Sequence, residues 1–144
     1  MIFPRAAIYL QMIKYIPREE AIDLINESVR IGVTPDRRHL HLVTQIPFIR
    51  PLFFKIFHNM LNTMFDEKSG FEFKEIEYNN KKYRVDVLKY PYVKYCELLG
   101  CKELTSTFCL SDGYVYGNMC DIAFERKGTI GRGNDRCEFY FHRN

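Results

Sequence analysis

The hydrophobic residues of this 144-residue chain change their period near Gly70. Before it they recur every three to four positions. After it they alternate, return to the helical interval, and alternate again. A helix face repeats at about 3.6 residues and a strand face at about 2, so this switching confines the chain to a mixed fold. The most regular stretch is Phe53, Ile56, Phe57, Met60, Leu61 and Met64, which predicts an amphipathic helix over residues 51–66. Pro4, Pro17 and Pro51 each open a helical pattern, where a missing N–H costs nothing. Behind Pro17, Glu19 and Glu20 suit the positive end of a helix dipole. Ala21, Leu24, Ile25 and Ser28 form that helix's stripe, widened by Ile22 and Val29, and Gly32 ends it. The segment from Val33 to Pro47 is polar with scattered apolar residues and reads as a loop with a short extended piece.

Beyond Gly70, Phe71, Phe73, Ile76 and Tyr78 read as a strand with one slip of phase, the mark of a bulge. Asn79-Asn80 supplies a two-residue turn, and Tyr83, Val85 and Val87 alternate on the return strand. Pro91 opens a helical stretch that Gly100 interrupts, and Glu103 to Cys109 forms a second short segment. Cys120, Ile122 and Phe124 alternate again, a Gly128–Gly133 turn follows, and Cys137, Phe139 and Phe141 form a last strand. The expected fold is α+β: N-terminal helices and a central helical pair packed on one face of a four-stranded antiparallel sheet. A single domain over residues 1–144 is expected, helical over 1–66 and with both hairpins within 70–142.

Apolar residues make up 47% of the chain and charged residues 27%, which excludes a disordered or fibrous protein. The net charge of +3 is too weak for a nucleic-acid surface, and no apolar run reaches the roughly 18 residues of a membrane span. The five cysteines, Cys96, Cys101, Cys109, Cys120 and Cys137, include no Cys-x2-Cys pair, so no zinc ribbon or dithiol redox motif is written here. With no signal peptide read at the N-terminus, a cytoplasmic protein with reduced thiols is expected. His39-x-His41 would face one way on an extended segment but lacks the further ligands a metal needs, so no metal or cofactor is expected.

The last third carries a resemblance. Its marks are Pro91-Tyr92, Leu99-Gly100, Glu103-Leu104, Phe108-Cys109 with Asp112 three residues on, Arg126-x-x-Thr129-Ile130-x-x-Gly133, and Cys137-x-Phe139-x-Phe141. These resemble the signature of the L-2-amino-thiazoline-4-carboxylic acid hydrolase family. The first half agrees in outline, in Phe3-Pro4-Arg5 and Pro17-Arg18-Glu19-Glu20-Ala21, and Tyr90 stands where a Cys-Pro step is common. The terminal strand also resembles vinyl-reductase-like small-molecule-binding domains, whose members often bind ligands without catalysis, and fold alone does not choose between them.

The first resemblance implies hydrolysis of a cyclic amidine, with water added at the amidine carbon and a carbon–nitrogen bond broken to give an N-carbamoyl amino acid. Such chemistry calls for a base, an acid for the departing nitrogen, and a cation for the carboxylate. Asp112 is the candidate base, with Cys109 beside it if Phe108 to Asp112 ends a helix. The blander reading makes Cys109 a buried hydrophobe and Asp112 a helix terminator. Cys137 is a second candidate thiol, although thiols in apolar surroundings are usually inert. Arg126 and Thr129 are candidate carboxylate anchors, against a surface arginine and a turn hydroxyl. A small-molecule substrate or ligand is the expected partner. No nucleic acid or membrane is, a homodimer stays open, and a structural interaction domain is the third alternative.

Overall fold

A computed structural model describes residues 2–64 and 70–144, with Met64 described in its backbone only. Four helices come first: α1 (Ile2–Met12), α2 (Arg18–Gly32), α3 (Thr34–Thr44) and α4 (Ile49–Met64). A hairpin follows, β1 (Glu72–Tyr78) and β2 (Lys82–Lys89), then α5 (Pro91–Leu98) and α6 (Thr105–Tyr116), then β3 (Ile122–Lys127) and β4 (Cys137–Arg143). The strands make one antiparallel sheet in the order β1-β2-β4-β3. This is the α+β fold the periodicity predicts.

Cross-strand partners share a face, so the register identifies the buried side. Val87 lies opposite Cys137, Val85 opposite Phe139, and Tyr83 opposite Phe141. Phe53, Phe54, Phe57 and Leu61 of α4 are buried against the Tyr83–Phe141 end, where the Phe57 and Phe141 ring centres are 4.6 Å apart. On the outer face Arg84, Leu88, Glu125 and Lys127 are exposed. A second apolar cluster joins α1 and α2 to α5 and α6 through Ala6, Tyr9, Ala21, Ile25, Cys96 and Phe108. Its polar fastening is Tyr9, wholly buried, whose hydroxyl donates to Glu103 while Arg18 grips the same carboxylate oxygen.

Several expectations need correction. The stretch from Val33 to Pro47 is no loop, since α3 occupies most of it, opened by Pro35 in its first turn. Its apolar residues are too few to show a period, yet Leu40 and Val43 line a cavity against α4. His39 and His41 therefore stand about 200° apart around a helix and do not face one way. His41 Nδ1 lies 2.8 Å from the Asn118 carbonyl, while His39 lines the α3–α4 cavity. In the stripes, Leu24, Ser28 and Ile56 are exposed. The predicted helix end at 65–66 lies outside the described residues.

The expected bulge is present between Glu75 and Glu77. The hairpin turn, however, is centred on Asn80-Lys81 and needs no positive φ, because Asn79 Oδ1 accepts from the Lys81 and Lys82 N–H groups, both at 2.9 Å. Gly100 does break the second helical stretch. At φ +72° it lets the Cys101 N–H reach back to the Cys96 carbonyl, closing α5 as glycine commonly does. The helix that follows runs on to Tyr116, so Asp112 sits in its middle and terminates nothing. Cys120 precedes β3 and has no place in its alternation.

Candidate functional site

Between the Val87–Cys137 end of the sheet and helices α1, α5 and α6 lies a cavity of about 440 Å³. Its floor is Val87, Cys137 and Phe139, and α6 contributes Phe108, Cys109, Ser111 and Asp112. On a helix, residues 108, 109 and 112 share one face, which explains why this stretch meets the cavity. Phe71, Tyr90 and Tyr92 wall it, with Tyr90 and Tyr92 ring centres 5.0 Å apart. Tyr90 is held extended by Pro91 behind it, at φ −126° and ψ 98°. Arg5 reaches the cavity from α1, its guanidinium carbon 5.3 Å from the centre of the Phe108 ring.

Among the described residues, Asp112 is the one carboxylate lining this cavity. Its side chain keeps 34% of its free exposure, and the hollow it lines is largely apolar. Burial accordingly pushes its pKa up to about 6, against the pull of Arg126. Arg126 Nη1 stands 3.6 Å from Asp112 Oδ2 and also donates to the Cys109 carbonyl. Arg126 also lines a second cleft of about 440 Å³, with Asn26, Arg30 and Tyr114. Ser111 lines both spaces, so Asp112 and Arg126 span the partition between them.

The two thiols lie together at the cavity floor and remain free. Burial pushes Cys109 up to about 11, with Cys137 adding to the effect, and burial raises Cys137 as well. The Ile130 N–H points at Cys137 Sγ from 3.2 Å. Gly131 lies so close to α6 that a Cβ there would stand 2.9 Å from Cys109 Sγ. Tyr90 is raised too, first by burial and then by the nearby Cys109 and Asp112.

Of the five residues singled out from sequence, Cys109, Asp112 and Cys137 line one cavity, and Arg126 joins them through Asp112. Thr129 does not reach it. Its hydroxyl donates to the Gly128 carbonyl at 2.7 Å, and its N–H donates to Asn134 Oδ1, so it braces the β3–β4 turn. Arg5, Tyr90, Tyr92 and Ser111 also line the site, and the sequence pattern does not single them out as site residues. Arg5 and Tyr92 lay within the matching motifs, but nothing in the periodicity says which helical residues face a hollow.

The model of the family described as L-2-amino-thiazoline-4-carboxylic acid hydrolase matches residues 1–141. The chain belongs to this family. The match runs through α1 and α2 as well as the C-terminal motifs, so every lining residue of the cavity falls within it. No curated protein and no solved structure shows significant similarity to the chain. Among the described residues no cluster of three or more side chains suited to a metal forms, and no helix is long and apolar enough to cross a membrane.

Proposed function

We propose that the Asp112 cavity hydrolyses a small cyclic amidine of the thiazoline-carboxylate type. The observation that carries the reading is a carboxylate raised to about 6 at the wall of an apolar hollow, in a chain of this family. A base with a pKa near the working pH is ionised yet still a useful proton acceptor.

Atom balance changes one expectation. An N-carbamoyl product keeps both nitrogens on the attacked carbon, so the bond that breaks is carbon–sulfur, and no nitrogen departs. The water oxygen bonds to the amidine carbon while Asp112 takes one of its protons. The double bond opens onto the ring nitrogen, which is protonated. Collapse to the carbonyl then expels sulfur, and the two protons of water end on nitrogen and sulfur. Sulfur is a better leaving group than an amine, which relaxes the need for a strong acid.

Cys109 and Cys137 enter this scheme as neutral thiols, because burial holds both above the range where a thiolate would form. Arg126 orients Asp112 and keeps it ionised. The free cysteines support a reducing, cytoplasmic setting. The test is to supply the thiazoline acid and titrate thiol released over time, with the protein at catalytic concentration. Steady release is expected, and none at any pH between 6 and 9 overturns the reading. A binding module is the second reading, supported by the aromatic walls and the protonated thiols, and it would show a thermal shift with the acid and no release.

A further inference from the structure

We infer that Arg5 is the group that receives the ring acid's carboxylate, making the cavity selective for anions. This rests on the reading of the cavity as a ring-acid site. Three observations carry it. Arg5 lines the cavity, and it makes no ion pair among the described residues. Arg126, by contrast, is committed to Asp112 and the Cys109 carbonyl, and it lines the second cleft and not this cavity. Arg5 also lies over the face of Phe108, a geometry that holds a guanidinium plane while leaving its N–H edge free for a bidentate carboxylate.

The fold delivers Arg5 there deliberately. Tyr9 lies one helical turn further along α1 on the same side, and its part-buried bond to Glu103 fixes the helix against the Lys102–Leu104 turn that leads into α6. The cavity's own carboxylate adds a reason for polarity. An ionised Asp112 repels a second carboxylate, so a ring acid seats its anionic end where a guanidinium is unpaired. That leaves the rest of the ring for the Asp112 side.

The test uses two probes with no amidine carbon to hydrolyse, thiazolidine-4-carboxylate and the neutral thiazolidine-4-carboxamide, with binding read by calorimetry. The acid should bind the wild-type chain more tightly than the amide. Arg5→Ala should weaken the acid by about 10- to 100-fold, the range of a lost charge-assisted pair, and leave the amide within about twofold. Arg5→Lys should recover part of the loss, and circular dichroism should be unchanged in both variants. Equal losses for acid and amide would mean that Arg5 only packs on Phe108, and an unchanged acid affinity would exclude it. Failure of the wild type to prefer the acid also overturns the inference. Because nothing here turns over, these outcomes are separate from failure of the hydrolase reading, which is read by thiol release.

Discussion

Asp112 owes its character to two neighbours pulling in opposite directions. The apolar hollow disfavours its charge and Arg126 favours it, and the hollow wins, leaving the pKa at about 6. A base must be ionised to act, so the rate should climb with pH through about 6 and level off above it. Asp112→Asn should lower turnover by about 100- to 10,000-fold, with the circular dichroism spectrum unchanged. Full turnover in that variant would remove Asp112 from the chemistry. Arg126→Gln removes the charge that opposes the hollow, so the acid limb of its pH–rate profile should move to higher pH. A profile that only drops in height, without moving, would make Arg126 a structural residue and no partner of Asp112.

At the scale of elements, the cavity depends on how closely the β3–β4 connection approaches α6. Gly131 permits this approach by lacking a side chain. A methyl group there meets Cys109 Sγ at 2.9 Å and Thr105 Cγ2 at 3.2 Å, both on buried residues with little room to yield. Gly131→Ala should cost about 1–3 kcal/mol in denaturant unfolding, the usual range for overpacking. In a Cys109→Ala background the same change should cost less, because the nearest clash is gone. Additive costs would show that the turn does not press on this thiol. The same scale explains where periodicity failed. Helix α3 follows α2 after a single residue and buries one residue fully, Thr44, so its stripe was too thin to read. Helix α4, with four buried apolar residues, was legible at once.

Across the whole molecule, the five thiols occupy three environments. Cys96 and Cys101 have no exposed surface, Cys109 and Cys137 are nearly buried but line the cavity, and Cys120 is half-buried beside Arg50. Alkylation followed by peptide mapping should therefore modify Cys120 first, then Cys109 and Cys137, and reach Cys96 and Cys101 only on unfolding. A bound ring acid should slow the middle pair and leave Cys120 unchanged. Protection of Cys120 instead would place the ligand elsewhere.

Periodicity alone determined the order of the strands and of every helix but α3, and the sheet's buried face, and helical spacing puts Cys109 and Asp112 on one side once α6 is a helix. Those features follow from local geometry, which a linear pattern records. The motifs in the last third pointed to the family. Only the tertiary structure decided that Thr129 braces a turn, that Arg126 is occupied by Asp112, and that Arg5, over a hundred residues away from Asp112 in sequence, enters the same hollow. The reason is physical: a cavity is the space that several elements fail to fill, and no single element's sequence carries its shape.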